Sequence, residues 1–320
     1  MRALRYDRYG GPEVLREVDV AEPECAPGRF RIRVRAVGLN PLDWKLRAGH
    51  LSLFPLFERP PRGLGCDFAG DIVAVGGGDA RYHVGQRVFG SLPAFERQGA
   101  LAEFICVGPD RFAALPAGLD YVAAAALPIA GGTAVQALED HAALRAGQRL
   151  LVTGAAGGVG HFAIRLGKHL GAEVTGVCGP ANVEFVRSLG ADTVLDYTRD
   201  APFGGAGRYD TIFDAASSSD YFTVRPRLAD DGVYVNTSGS GAAVARTVAA
   251  SVLSRLTSRQ RVYALALKLD ARLLERVARH AAAGVLQPHV ARAIGLDAVA
   301  EAQRAMESGH GRGKIVVAVT

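Results

Sequence analysis

Hydrophobic and polar residues follow one another along this chain in two different rhythms. Up to about residue 120 the rhythm is short. Arg29-Phe-Arg-Ile-Arg-Val-Arg-Ala-Val37 alternates polar and apolar positions strictly, as a strand with one buried face does. Phe68–Val75, Val84–Phe89 and Leu101–Val107 are further strand-like runs, punctuated by Gly and Pro, so the region reads as an all-β domain with few helices. Helices are expected over Asp120–Leu127 and Gly132–Leu144, separated around Pro128. From Arg149 onward strands alternate with helices, the strands at 150–153, 174–178, 193–195, 210–214, 232–236 and 261–265. Asn182–Leu189 and Tyr221–Leu228 are helical stretches between them, and the alternation predicts a parallel, doubly wound sheet. An amphipathic helix Asp270–Ala283, a helix Leu296–Ser308 and a last strand Lys314–Val319 follow, and that strand is placed to complete the N-terminal β domain. The expected domains are thus 1–122 with 268–320, and 123–267.

The stretch Arg149-Leu-Leu-Val-Thr-Gly-Ala-Ala-Gly-Gly-Val-Gly160 carries the most chemistry. An apolar strand breaks on small residues, and apolar positions resume at helical spacing with Val159, Phe162, Ala163, Leu166 and Leu170. A second buried strand follows after Gly171, which completes a unit of the size that binds half a dinucleotide. Small residues let the backbone turn tightly off the strand and approach a pyrophosphate, and the helix start presents N–H groups to it. In the Gly-x-Gly-x-x-Gly register the three positions are Ala155, Gly157 and Gly160, so Ala155, Ala156, Gly157, Gly158, Val159 and Gly160 are the expected phosphate cradle. An NAD site places an acid at the end of the second strand, on the ribose 2′-hydroxyl. Here that position is Cys178, and no acid follows until Glu184, which favours NADPH.

Composition narrows the classes. The chain has 320 residues, 49% hydrophobic and 22% charged, enough for two cores. Its longest apolar stretch, Val122–Ala130, is too short to span a bilayer, and no secretory leader is read at the start, so no membrane partner is expected. Its four cysteines are scattered, which suits a reduced cytoplasmic setting. The net charge of +5 is spread over dispersed arginines with no basic run, so nucleic acid is not an expected partner.

Six motifs together resemble one family. They are Gly38-Leu-Asn-Pro-Leu-Asp-Trp-Lys45, Leu64-Gly-Cys-Asp-Phe-Ala-Gly70, Val84-Gly-Gln-Arg-Val88, the Gly154–Gly160 turn, Leu189-Gly-Ala-Asp192 and Gly309-His-Gly-Arg-Gly-Lys-Ile315. The chain resembles the medium-chain dehydrogenase/reductase superfamily, in its zinc-independent quinone oxidoreductase-like branch. The resemblance implies an α/β fold, a GroES-like β domain plus a Rossmann doubly wound parallel sheet, and a homodimer. In the zinc-dependent relatives a cysteine stands at Asn40, a His-Glu pair at Cys66-Asp67 and a cysteine near Ala130, so no metal is expected here.

By the same resemblance Asn182, Tyr197 and Lys314 would hold the adenosine phosphate end, and Thr133 the nicotinamide end. Ala215, Thr237 and Ser238 lie in loops after strand C-termini, where ligands sit in open α/β sheets. Asn40, Asp43 and Lys45 fall where the relatives build the substrate cleft. Asn40 and Lys45 are candidate donors to an acceptor oxygen, with Asp43 orienting Lys45 or a water. The plain alternative is that Asn40-Pro41 starts a turn and Asp43 caps the helix after it. The apolar stretch Leu51–Arg62 would line the pocket. The expected activity is NADPH-dependent hydride transfer to a quinone, enal or enone. Alternatives are an enoyl-thioester reductase, or a protein that binds NADPH without turnover.

Overall fold

The computed structural model describes residues 1–52, 59–77, 80–204, 207–237, 241–309 and 311–319. Ser238 and the middle of the apolar stretch 51–62 lie outside the described residues. The chain forms two compact units, residues 1–129 with 269–320 and residues 130–268.

The first unit opens with β1 (Arg2–Tyr6), β2 (Arg16–Asp19), β3 (Phe30–Gly38), α1 (Pro41–Arg47) and β4 (Arg62–Gly63). It continues with β5 (Asp67–Val75), β6 (Arg87–Ser91), β7 (Phe104–Val107), β8 (Phe112–Ala114) and α2 (Tyr121–Ala125). β3 behaves as its alternation predicts. Phe30, Ile32 and Val34 are buried while Arg33 and Arg35 face solvent, and from Ala36 to Gly38 both faces are covered. β3 pairs antiparallel with β5, and Phe30 stacks edge-on against Tyr82 and Phe112, with centroids 5.7 and 5.2 Å away. Gly38 ends β3 for a steric reason: a Cβ there would lie 2.1 Å from the Ala125 carbonyl oxygen, so only glycine lets α2 pack this close.

The chain passes into the second unit along α3 (Pro128–Val135), which runs into a π-helical turn, Gln136–His141. The break expected at Pro128 is a helix start instead, since proline at the first position gives up an N–H that has no intrahelical partner. The parallel sheet is built from β9 (Arg149–Thr153), β10 (Glu173–Cys178), β11 (Thr193–Asp196), β12 (Tyr209–Asp214), β13 (Leu228–Asn236) and β14 (Arg261–Ala264). Their order is β11-β10-β9-β12-β13-β14, which reverses direction between β9 and β12. The helices between are α4 (Gly160–His169), α5 (Val183–Ser188), α6 (Tyr221–Val224) and α7 (Gly241–Thr257), the last with no counterpart in the sequence reading.

The chain then returns to the first unit with α8 (Ala271–Ala282), β15 (Val290–Ile294), α9 (Val299–Glu307) and β16 (Lys314–Ala318). β16 pairs antiparallel with β3, Val316 opposite Gly38, so the last strand completes the β unit as expected. Arg47 locks this return. It is fully buried at the end of α1, donates to Gln303 Oε1 at 2.7 Å, and pairs with Glu307 on α9 and with the Gly10 carbonyl. Removing one partner of a buried pair leaves the other uncompensated. Arg47→Ala should therefore cost about 3 kcal/mol in denaturant unfolding, whereas an exposed control such as Arg8→Ala should change it by less than about 0.5 kcal/mol.

Candidate functional site

Three distant segments meet at the start of α1. Asn40 precedes the helix, Asp67 opens β5 and Lys314 opens β16, and all are buried. The Lys314 ammonium donates to Asn40 Oδ1 at 2.6 Å and to the Leu39 carbonyl at 2.7 Å, and lies 3.8 Å from Asp67 Oδ2. The Asn40 amide donates to Asp67 Oδ2 at 2.9 Å and to the Gly38 carbonyl at 3.2 Å. Asp67 also accepts from the Ile129 N–H at 3.2 Å. Asp43, one turn into α1, accepts the Asn40 N–H at 2.7 Å and so caps the helix.

These contacts revise three of the expected roles. Lys314 does not reach for a phosphate: its ammonium is held inside the β unit by a carbonyl, an amide and a carboxylate. Asn40 does not offer its amide to an acceptor oxygen, because both hydrogens are already donated. Asp43 is a buried cap and does not orient Lys45. Lys45 is half-buried on the next turn, its ammonium 5.7 Å from the Trp44 ring centre, and burial lowers its pKa. What gathers at Asp67 is one carboxylate, one amide and one ammonium, beside a Cys66 thiol that burial holds well above its usual pKa. That set does not suit zinc, which asks for deprotonated Cys, His or carboxylate ligands around the ion.

In the second unit the glycine turn leaves β9 at the point where strand order reverses. The left-handed residue is Gly154, at φ +60°, one position before Ala155. A Cβ on Gly160 would lie 2.1 Å from the Gly154 carbonyl oxygen, so Gly160 is what lets α4 begin against the turn. Within the turn the Gly157 N–H donates to the Gly154 carbonyl at 2.9 Å, and at the start of α4 the His161 N–H donates to the Gly157 carbonyl at 3.1 Å and the Ala163 N–H to the Val159 carbonyl at 3.0 Å. Cys178 ends β10 and is buried, its thiol raised to about 11 by burial and by Asp196. Asp196, across from it on β11, accepts from the N–H and hydroxyl of Thr198 at 2.9 and 2.8 Å. Asn182 closes the short 3-10 turn after β10, and Tyr197 stands half-exposed beside Gly179. Thr133 is buried on α3.

Asp214, at the end of β12, is the residue that sequence reasoning missed. Its fully buried carboxylate accepts from Thr153 Oγ1 at 2.5 Å, the Ser219 N–H at 2.9 Å, Tyr234 Oη at 3.1 Å and Asn236 Nδ2 at 3.2 Å. One carboxylate thereby ties the C-terminal ends of β9, β12 and β13. Its carbonyl takes the Thr237 N–H at 3.2 Å, and Thr237 Oγ1 reaches the Ala215 carbonyl at 3.3 Å. Ser217 in the same loop holds φ 52°, a strained value for a non-glycine residue that such a network can sustain. Sequence marked it only as the first residue of the loop Asp214-Ala-Ala-Ser217 after a strand, and serine-rich loops are ordinary turn chemistry.

Titration of the first cluster follows from its burial. Desolvation raises the Asp43 carboxyl to about 7, the Asp67 charge adds to this, and the Asn40 N–H and Lys314 oppose it. Burial likewise raises Asp67, against Lys314 and Asn40, and lowers Lys314, against Asp67 and Asp43. Asp43 Oδ1 is buried without a hydrogen-bond partner, which suits a carboxyl that keeps its proton near neutrality. A carboxyl with a raised folded pKa binds its proton more tightly in the folded state. Its contribution to stability therefore falls as pH rises from the unfolded value near 4 through about 7. Asp43→Asn should remove that loss. Its stability relative to the parent should rise by on the order of 2 kcal/mol between pH 5 and pH 8 in urea unfolding, and a difference independent of pH would refute the assignment.

The geometry can be set beside known proteins. The pattern for an alcohol dehydrogenase GroES-like domain matches residues 26–117, and that for a zinc-binding dehydrogenase matches residues 189–317. A chloroplast envelope quinone oxidoreductase homolog of Arabidopsis thaliana is 37% identical over 74% of this chain and 74% of its own length. A chloroplastic quinone-oxidoreductase of Triphysaria versicolor is 32% identical over 99% of this chain and 98% of its own. The solved quinone oxidoreductase of Coxiella burnetii superposes with a TM-score of 0.89 at 28% identity, covering 100% of this chain and 99% of that one. The chain is therefore an oxidoreductase of the nicotinamide-dependent type, and it belongs to the medium-chain dehydrogenase/reductase superfamily in its quinone oxidoreductase-like branch.

Proposed function

We propose that this protein is an NADPH-dependent reductase of quinones and α,β-unsaturated carbonyls that works without zinc. The observation that carries the reading is the Asn40–Asp67–Lys314 cluster: an amide and an ammonium stand where a metal would need ligands. An acceptor reduced here has to spread the developing negative charge through its own conjugated system, as a quinone or enone does. The bound nicotinamide would supply a hydride, which with one proton converts a quinone to a hydroquinone or saturates an enone at Cβ and Cα. An NADPH-dependent alkenal/one oxidoreductase of Arabidopsis thaliana, 35% identical over 69% of this chain and 58% of its own length, supports the same class. A reduced cytoplasmic setting is part of the reading, supported by four cysteines in no disulfide.

The chain's own residues have three tasks. The turn Ala155–Gly160 holds the pyrophosphate on backbone N–H groups, with Thr133, Ala215 and Thr237 taking the nicotinamide end. Cys178 sets no negative charge at the end of β10, and Asn182 and Tyr197 flank the same end, which leaves the place open to a 2′-phosphate. Lys45, lifted on an α1 that Asn40, Asp43 and Arg47 hold in place, donates a hydrogen bond to the acceptor oxygen as charge develops there.

Two measurements test this. Cys178→Asp should weaken NADPH binding about ten- to a hundredfold through repulsion with the 2′-phosphate while sparing NADH, and a parent protein that binds NADH more tightly would overturn the cofactor assignment. Lys45→Ala should lower kcat about 10²–10³-fold with cofactor affinity kept, and Lys45→Arg should restore part of it. Assayed against quinones, enones, a crotonyl thioester and ethanol, the parent should reduce the first two and leave ethanol untouched. Preference for the thioester would move the substrate class, and no turnover with any acceptor would make this a cofactor-binding protein only.

A further inference from the structure

Two of the four cysteines share one corner of the β unit. Cys66 and Cys178 are buried in the places already described, Cys106 is buried on β7, and Cys25, in the loop before β3, is half-buried. That loop folds back at Gly28, which holds φ +73°, and the Arg29 N–H donates to the Ala26 carbonyl at 3.0 Å. The fold returns the Cys25 thiol to the Arg29 carbonyl, to which it donates at 3.2 Å. Arg29 in turn reaches β7, its guanidinium donating to the Cys106 carbonyl at 2.7 Å. Cys106 stands opposite Arg31 in the antiparallel pairing of β3 with β7, so its side chain shares a face with Arg31.

The Cys106 sulfur faces the same loop. Burial raises its pKa, the Ala26 N–H and the Arg29 guanidinium oppose the rise, and the Cys25 thiol adds to it. A sulfur within reach of the Ala26 N–H is one peptide unit from the Cys25 side chain. Arg29 Nε is buried there with no hydrogen-bond partner, a donor suited to a charged or oxidised sulfur. We propose that Cys25 and Cys106 are an oxidant-responsive pair, closing to a disulfide when a peroxide reaches Cys25. Hydrogen peroxide passes one oxygen to the more accessible Cys25 thiol, giving a sulfenic acid and water. The Cys106 sulfur then attacks the Cys25 sulfur. The S–S bond forms as the S–O bond breaks, and the Cys106 proton leaves with the hydroxyl as a second water. The two thiols lose two electrons and the peroxide gains them. The bond ties the loop before β3 to β7.

The test treats the whole reduced protein with hydrogen peroxide and maps its thiols. Two of the four should be lost, with Cys66 and Cys178 still titratable after unfolding. Digestion should yield the peptides of Cys25 and Cys106 joined within one chain. The intact mass should fall by two hydrogens, and dithiothreitol should restore both thiols. Cys106→Ser should stop at a sulfenic acid on Cys25 that dimedone captures, and Cys25→Ser should leave Cys106 reduced at the same peroxide dose. The bridge closes a long loop in the unfolded chain, so the oxidised protein should unfold at a higher denaturant midpoint than the reduced one. No thiol lost at a dose that oxidises glutathione would overturn the proposal. So would a sulfinic acid on Cys25 with Cys106 still free, a link to Cys66 or Cys178, or a bridge between two chains. A lower midpoint for the oxidised protein would also overturn it, because the native loop would then have to distort to admit the bond. None of these outcomes depends on which acceptor is reduced or which cofactor is bound.

Discussion

Everything around the start of α1 depends on keeping one ammonium out of water. Moving a lysine and an aspartate into a protein interior costs several kcal/mol per ion, and the attraction between them offsets this only when the remaining donors and acceptors are matched. Lys314 and Asp67 are 3.8 Å apart, too far for the pair to suffice alone. Asn40 closes the gap because an amide has two ends: its oxygen takes the ammonium and its nitrogen serves the carboxylate. An aspartate at position 40 would lose the donor and repel Asp67, and a cysteine would offer neither hydrogen bond with comparable strength. With Asp43 retaining its proton near neutrality, the buried charges of Lys314 and Asp67 balance. The same cluster fixes the helix start that carries Lys45, so local electrostatics and the position of the proposed donor are one arrangement.

The α/β unit solves a related problem with a carboxylate alone. Asp214 has no cation beside it in its hydrogen-bond set; hydroxyl, amide and backbone donors from three strand ends surround it. Each donor it holds pins a loop end. Thr153 immediately precedes the left-handed Gly154, and a Cβ on that glycine would come within 3.0 Å of Ala216 Cβ. The glycine turn and the loop after β12 are therefore packed against each other at the strand-order reversal. Their relative position is set by hydrogen bonds to Asp214 before any cofactor arrives, which is the preorganisation a dinucleotide site needs.

Where hydrophobic rhythm decided a question, the sequence was legible. The alternation of β3, the six strands of the parallel sheet and the return of β16 to the first unit all follow from period and order. The glycine turn was legible as a whole but displaced by one residue, since the spacing rule assigns the tight turn to Ala155 whereas the backbone takes positive φ at Gly154. What sequence could not show is who partners whom across long separations. Lys314 in a Gly-x-Gly-Lys-Ile run looks like a cation for a phosphate; it is 274 residues from the asparagine that accepts from it, and only the pairing of β16 with β3 brings the two together. Asn40 and Asp43 read equally as catalytic groups or as a helix cap, and the hydrogen bond between them favours the cap.

Helix α7 shows the limit of periodicity from the other side. A repeat of apolar residues every four positions reports that a segment has a helical face, and says nothing about what that face meets. Inference from such a row to burial assumes that the unit supplies the apolar neighbour. Here the unit is satisfied by Thr247, Ala250 and Ser254, whose small side chains let the helix lie close to the sheet and whose hydroxyls return to the helix's own carbonyls, Thr247 to Ala243 and Ser254 to Ser251. The larger Val248, Val252 and Leu256 are placed outward, 51%, 58% and 79% exposed.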